Sequence, residues 1–148
     1  MRHVSLMLLW KPAFNIVLSS VDRGHNSTEG FNRSCRVPVW NTKHHIEAHL
    51  RQRIAAGDGK PCTYTIIGPV FSLDNLAPNF FGRLTATWWD SFLQGKPLRV
   101  IDTMDVGNFA AQALLDPTSP RFANAEVNLA GDVLTFDQAN KTFYQRSC

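Results

Sequence analysis

Short runs of apolar residues alternate with longer amphipathic stretches along this chain of 148 residues. Phe14–Val21 and Cys62–Ile67 are rich in β-branched and large apolar residues, which is typical of strands buried on both faces. Leu98–Ile101 and Glu126–Ala130 are shorter runs of the same kind. The pattern therefore predicts four strands that are separated by longer connections.

An amphipathic stretch after the first strand predicts a helix over Asn41–Arg53. Ile46 and Leu50 stand at i, i+4 and are expected to form its apolar stripe, and either Asn41 or Thr42 can cap its start. The predicted order is therefore strand, helix, strand, which is the order of a parallel βαβ unit.

The clearest helix is predicted over Asp102–Leu115, whose first two residues are both good N-caps. Its expected apolar face consists of Val106, Phe109, Ala110, Ala113 and Leu114. Shorter helices are predicted over Leu73–Ala77 and Phe136–Gln145. Arg83–Gln94 contains Trp88, Trp89 and Phe92, and its conformation stays open, with core or lid packing as the favoured use of its aromatic side chains.

The carboxyl ends of the first two strands are the candidate positions for binding a ligand. Ser19 and Ser20 end the first strand, and the second strand continues into Gly68–Phe71. Because the strands of a βαβ unit are parallel, both ends lie along one edge of the sheet, where α/β proteins bind their ligands. The alternative is a core strand with a polar end and no ligand.

Composition indicates an ordered globular domain, with 44% hydrophobic and 18% charged residues. Residues 1–60 hold nine Lys and Arg against four Asp and Glu, whereas residues 61–148 hold six against eight. A basic first part can favour phosphate groups, including those of a nucleotide, but a solvated surface is the better explanation. No basic run with interleaved aromatic residues supports direct binding to nucleic acid.

The three cysteines and the amino terminus bear on the compartment. Cys35, Cys62 and Cys148 are odd in number and lack the spacing of a zinc site, which favours a reducing compartment. Val4–Trp10 resembles the apolar part of a signal peptide, but Lys11-Pro12 follows it without a cleavage motif. With no apolar run long enough for a membrane span, we expect a cytoplasmic protein, with the nucleus as a further location, and an unmatched lead over residues 1–10.

Free-standing catalytic motifs are absent from the sequence. His45 and His49 have the i, i+4 spacing that can hold a metal, but no third ligand joins them, and no metal site is predicted. Lys43 opens the same helix close to the strand ends, where it can bind a ribose hydroxyl or a phosphate. An exposed surface lysine is the alternative.

Five motifs in order carry a resemblance to a known family. They are VLSSVDRG, NTKHHIEAHLRQ, YTIIGPVFSLDNL, RVIDTMDVGNFAAQALLDP and EVNLAGDVLTFDQANKTF. Together they resemble the NmrA-like family of atypical short-chain dehydrogenases, whose fold is an NAD(P)-binding Rossmann domain. The resemblance implies that residues 11–148 form the carboxyl-terminal part of such a domain.

The resemblance implies an incomplete Rossmann-like parallel sheet with a carboxyl-terminal helical region on the substrate side. It makes the strand at Phe14 the family's fifth and the strand at Cys62 its sixth. The amino-terminal βαβ units, with the Gly-rich turn that cradles the cofactor's pyrophosphate, have no counterpart in this sequence. The cofactor that the resemblance implies is NADP(H) or NAD(H). Because the turn that holds the pyrophosphate has no counterpart, binding of this cofactor by the chain alone is expected to be impaired.

The resemblance also implies a set of site residues. Ser19, Ser20 and Lys43 would lie near the nicotinamide ribose, and Gly68, Pro69, Val70 and Phe71 would line the nicotinamide. Short-chain dehydrogenases use a Y-x-x-x-K motif in which the tyrosine transfers the proton. Lys43 matches the lysine, but Val39 stands in the place of the tyrosine.

Three functions remain open at this point. The first is a truncated redox-sensing or regulatory protein that responds to a nicotinamide dinucleotide and has a regulatory protein partner. The second is an NADPH-dependent reductase of small carbonyl, quinone or enone compounds, with Lys43 as the catalytic acid/base. The third is a non-catalytic interaction module, or a gene-model fragment, which self-associates through the open edge of its first strand.

Overall fold

The structure is a computed structural model that describes residues 14–22, 38–57 and 62–146, with side chains described up to residue 142. The lead segment, most of the polar loop between Asp22 and Pro38, Cys35 and Cys148 lie outside the described residues. The elements are β1 (Phe14–Ser19), α1 (Pro38–Ala56), β2 (Cys62–Pro69), β3 (Phe71–Ser72), a 3₁₀ helix (Leu73–Leu76), α2 (Phe80–Leu93), β4 (Leu98–Ile101), α3 (Thr103–Leu115), β5 (Ala125–Leu129), β6 (Asp132–Leu134) and α4 (Phe136–Arg146).

The main sheet is three-stranded, parallel and ordered β1-β2-β5. Ser19 lies opposite Ile67 across the β1–β2 ladder, so both strands end at the same edge. This confirms the predicted α/β class and its parallel βαβ unit. A smaller sheet has the order β3-β4-β6, in which β6 runs antiparallel to β4. Strand β6 was not predicted from the sequence.

β1 is not buried on both faces as its composition predicted. Val17 packs into the core on the α3 side, but Phe14 is 58% and Ile16 45% exposed on the other face. The reason is the position of α1, which covers only the carboxyl end of that face, where it meets the buried Ser20. The beginning of the strand is left uncovered within the described residues.

Helix α1 begins at Pro38, three residues before the predicted Asn41, so the predicted cap is wrong. Proline suits the first turn of a helix because the missing N–H has no intrahelical partner there. The predicted apolar stripe is also wrong in part, since Ile46 is 46% exposed and Leu50 is half-buried. The fully buried residue of this helix is Glu47.

Helix α3 confirms the prediction over its whole length, and the Asp102 side chain accepts a hydrogen bond from the Met104 N–H as its N-cap. Its inner face packs on a core of Ile67, Ile101 and Leu129. Leu114 is 58% exposed and does not belong to the buried face as expected.

Helix α2 settles the conformation of the aromatic stretch. Trp89 is buried in a second core cluster with Val100 and Ala139, whereas Trp88 and Phe92 are exposed. Of these three aromatic residues, Trp89 therefore packs in the core. The first turn of α2 lies so close to the preceding chain that a β carbon on Gly82 would stand 1.8 Å from the Ala77 carbonyl oxygen.

The stretch predicted as a helix up to Ala77 is a 3₁₀ helix, and the last helix starts at Phe136 as predicted. Among the described residues, no helix is both long enough and apolar enough to cross a membrane.

Candidate functional site

The structure brings Ser19, Ser20 and Lys43 together at the carboxyl edge of the sheet. The Lys43 Nζ donates a hydrogen bond of 2.9 Å to the main-chain oxygen of Ser19. This contact joins the second turn of α1 to the end of β1. The Ser19 side chain is exposed at the same edge, on the face of β1 opposite to the one that carries Ser20. We therefore take this edge as the candidate site.

Ser20 differs from Ser19 in its surroundings. Only 7% of it is exposed, and its hydroxyl donates to Oε1 of the buried Glu47. The Ser20 N–H donates to the Ile67 carbonyl at 2.7 Å, which continues the β1–β2 ladder past the last paired residue. The serine is thus held from both its main chain and its side chain, and its hydroxyl proton is committed to the carboxylate.

A buried charge network continues from Ser20 into the domain. The Arg51 guanidinium lies 3.5 Å from Oε2 of Glu47 and donates through Nε to Oε1 of Glu126 at 2.6 Å. Glu47 is fully buried, and the side chains of Arg51 and Glu126 are 20% and 9% exposed. The network ties the end of β1 to α1 and β5.

Sequence reasoning missed Glu47, Arg51 and Glu126. The i, i+4 pairing of Glu47 with Arg51 is a visible signal, but it usually marks a solvated helix face. Glu126 was assigned to a strand without a role. Their contact depends on the packing of α1 on the sheet, which local spacing does not show.

The predicted nicotinamide-lining residues lie at the end of β2 and directly after it, in two different environments. Gly68 is buried in the sheet, and the Pro69 carbonyl accepts from the Asp22 N–H at 2.9 Å. Val70 packs on the first core, and the Phe71 ring stands edge-on to Trp89, 6.1 Å between ring centres. The main chain of this segment therefore stays at the candidate site, while its last two side chains pack against the cores.

The chemistry available at this edge is that of binding. A hydroxyl, an ammonium and main-chain groups can bind a ribose or a phosphate. Val39, in the tyrosine position, is 68% exposed and has no proton to transfer. The donor set fits the nicotinamide-ribose part of a dinucleotide, but the sequence contains no Gly-rich turn for a pyrophosphate.

A metal centre finds no support in the part of the chain that the structure describes, where no three His, Cys, Asp or Glu residues cluster. His45 and His49 are exposed on α1, and Glu47 between them points into the sheet.

The fold is similar to that of several solved enzymes. UDP-N-acetylglucosamine 4-epimerase from Bacillus cereus matches with a TM-score of 0.57 at 12% identity, over 89% of this chain and 48% of that one. UDP-glucose 4-epimerase from Thermotoga maritima matches with a TM-score of 0.51 at 13% identity, over 88% and 46%. At such identities the likeness concerns the fold, and the chain spans about half the length of these structures.

Sequence comparison gives the family. No curated protein matches the chain significantly. The profile of the NmrA-like family matches residues 15–147, which include the whole candidate edge and, except for Phe14, both sheets. The chain belongs to the NmrA-like family.

Proposed function

We propose that this chain supplies the nicotinamide side of a dinucleotide-binding site in an NmrA-like protein that responds to the redox state of its cofactor. The observation that carries the proposal is the hydrogen bond from Lys43 to the Ser19 main chain at the carboxyl edge of parallel strands. This is the edge at which open α/β sheets bind ligands. The family as a whole binds nicotinamide dinucleotides.

Each side chain has a separate task in this proposal. The Lys43 ammonium, on a half-buried side chain, and the exposed Ser19 hydroxyl bind the ribose hydroxyls of the nicotinamide half. Ser20 presents its oxygen lone pairs while its proton is held by Glu47. Gly68 and Pro69 let the main chain approach the nicotinamide ring closely. A bound dinucleotide would supply or accept a hydride.

The affinity of this chain alone is expected to be low. The pyrophosphate of a dinucleotide is normally held by main-chain N–H groups of a Gly-rich turn at a helix start, which this sequence lacks. Tight binding therefore requires the first βαβ units from another polypeptide segment.

A sensor fits these residues better than a reductase does. Reduction of a carbonyl requires a proton donor beside the hydride acceptor, and short-chain dehydrogenases use tyrosine for that step. The exposed Val39 stands at that position, and Lys43 donates to a main-chain oxygen. We therefore place the reductase second, with Lys43 as its acid.

Substitution of Lys43 tests the proposed site. Lys43→Met should abolish the weak binding of NADPH in an equilibrium titration, because it removes the charge at the ribose position while keeping the length of the side chain. Lys96→Met alters an exposed lysine between α2 and β4 and should leave binding unchanged. Equal binding by the two variants would remove Lys43 from the site.

A second candidate function is an interaction module, which the exposure of β1 favours. β1 is an edge strand of the described sheet, and Phe14 and Ile16 expose apolar surface beside its unpaired side. Such an edge can pair with a strand of a regulatory partner or of a second copy. Gel filtration over a range of concentrations tests self-association, and a monomer at every concentration would argue against it.

A further inference from the structure

Helix α2 is apolar on two sides, and the protein covers only one of them. The inner side buries Gly82 and Trp89 against the second core. The outer side exposes five large apolar side chains by 42% to 77%, and these are Phe80, Phe81, Leu84, Trp88 and Phe92. Single exposed apolar residues are common on protein surfaces, whereas a continuous patch of them marks a surface that another molecule covers.

The outer side of α2 has the residue spacing of a helix that packs on another helix. Its central positions are separated by three, four and three residues, and they are Phe81, Leu84, Trp88 and Ser91. This is the spacing of the a and d positions in a coiled coil. Thr85 and Phe92 follow the second and fourth of these positions and widen the stripe. The pattern therefore favours a helix as the occupant.

The shape of the surface supports the same occupant. A groove of about 520 Å³ runs along this side, and all the described residues that line it belong to α2. A small molecule is normally enclosed from several sides, but here a single helix forms the wall. From Phe81 to Phe92 the groove extends over roughly 16 Å, which is about three helical turns. A second helix of about three turns would supply the missing wall.

The charges on α2 bear on which helix this is. Arg83 and Asp90 are the charged residues of α2, and neither lines the groove. A helix that lies on a membrane surface usually carries several Lys or Arg residues on its polar face, which α2 does not. The uncharged groove also offers no basis for selecting a charged partner. A second copy of α2 has the right length and brings no like charges into the contact.

The stripe is complementary to itself when two copies of α2 run antiparallel. In an isologous contact both copies use the same face around a two-fold axis. With this axis beside residue 86, Leu84 lies opposite Trp88 of the other copy, and Phe81 lies opposite Ser91. The Phe81 ring then fills the space beside a small side chain and reaches Phe92 of the other copy. Large side chains thus meet small ones or aromatic rings along the whole stripe.

The exposed area is large enough for a dimer. Because an aromatic side chain buries roughly 150–250 Å², the exposed parts of the five side chains amount to about 600 Å² in each copy. Two copies would together bury about 1,200 Å², which is the lower end of the range for specific interfaces. A dimer of moderate affinity is therefore expected.

We propose that α2 of one chain packs antiparallel on α2 of a second copy, so that the protein forms an isologous dimer. The contact closes at two copies, because each copy uses the same face. It involves neither the residues of the candidate site nor the open edge of β1. The proposal therefore stands or falls independently of the proposed function.

Analytical ultracentrifugation of the full chain over a range of concentrations tests the dimer and should show a monomer–dimer equilibrium. Phe81→Glu and Phe92→Lys should each weaken dimerisation by at least about tenfold, because each places an unpaired charge in an apolar contact. Arg83→Glu changes an exposed residue of the same helix outside the groove and should dimerise as the unchanged chain does. Ile16→Lys, which alters the edge of β1, should also retain the dimer.

A mixture of the two variants tests the antiparallel arrangement. When Phe81→Glu pairs with Phe92→Lys, the introduced carboxylate of one chain lies near the introduced ammonium of the other. The other end of the contact keeps its two phenylalanines. The equimolar mixture should therefore recover dimers, whereas each variant alone should remain mostly monomeric. Thermal unfolding checks that each variant folds, and Leu84→Lys replaces a variant that does not.

Four results would overturn the proposal. A monomer at every concentration would exclude a second copy as the occupant. A dimer that both Phe81→Glu and Phe92→Lys leave intact would use another surface. A mixture that recovers no dimers would exclude the antiparallel arrangement. Binding of the monomeric chain to phospholipid vesicles, if Phe81→Glu abolishes it, would make a lipid surface the occupant.

Discussion

At the scale of single residues, the buried polar network is formed by side chains that belong to no recognised sequence motif. Ser19, Ser20 and Lys43 were expected together from strand ends and a helix start, and they do meet. Glu47 and Arg51 were not expected, because their role follows from how α1 packs on the sheet. The residue types at strand ends can be predicted from a sequence. The ion-pair partner of a buried charged residue cannot, because it depends on how the elements pack.

Glu47 is predicted to be a major contributor to stability. Glu47→Ala should lower the free energy of unfolding by about 3 kcal/mol, because it leaves the Ser20 hydroxyl without its acceptor and the Arg51 charge with one carboxylate fewer. Urea unfolding measures the change. Glu47→Gln keeps an acceptor for Ser20 and should cost less, about 1–2 kcal/mol.

Asp90 provides the matched control for Glu47, since it is an exposed acid on another helix. Asp90→Ala should change stability by no more than about 0.5 kcal/mol. A loss for Glu47→Ala as small as that for Asp90→Ala would mean that the buried network contributes nothing to the fold.

Gly82 and Gly107 form a second matched pair of residues. A β carbon on Gly82 would lie 1.8 Å from the Ala77 carbonyl, whereas nothing lies within 4 Å of one on Gly107. Gly82→Ala should therefore destabilise by about 3 kcal/mol. Gly107→Ala, in the interior of α3, should stabilise by about 0.5–1 kcal/mol because alanine favours the helix. Thermal unfolding of the two variants should give shifts of opposite sign, and shifts of the same sign would contradict the packing at Gly82.

At the scale of elements, the positions of strands and helices along the chain were predicted better from the sequence than the side chains that each element buries. α3 agrees with its pattern because its inner face is apolar and its N-cap is an aspartate. α1 departs from its pattern because charged residues form part of its inner face, so a search for apolar stripes selected the exposed Ile46. β6 was missed because three residues are too few for a periodicity.

The open edge of β1 gives a prediction at this scale. Ile16→Lys should reduce any concentration-dependent self-association of the chain, because a charge beside an unpaired strand edge opposes pairing with another strand. Light scattering after gel filtration measures the effect. Val133→Lys, at a similarly exposed valine of β6, should leave self-association as it was. If both variants behave alike, self-association does not use β1.

At the scale of the whole molecule, the family and the sheet topology account for what the chain holds and what it lacks. The family profile covers residues 15–147, yet the chain spans about half of the similar solved structures. The sheet is open on both sides within the described residues, at β1 and at β5. The candidate site lies at the carboxyl end of β1, and the described residues form no strand on its outer flank.

The central claim is that this chain holds the nicotinamide half of a dinucleotide site without the pyrophosphate half. The most direct measurement compares reduced nicotinamide mononucleotide, NADPH and 2′,5′-ADP in NMR titrations of the full chain. The mononucleotide and NADPH should bind weakly with similar affinity and shift the amide signals of Ser19, Ser20, Lys43 and Gly68, whereas 2′,5′-ADP should not bind. Much tighter binding of NADPH than of the mononucleotide, or no shifts at these four residues, would contradict the claim.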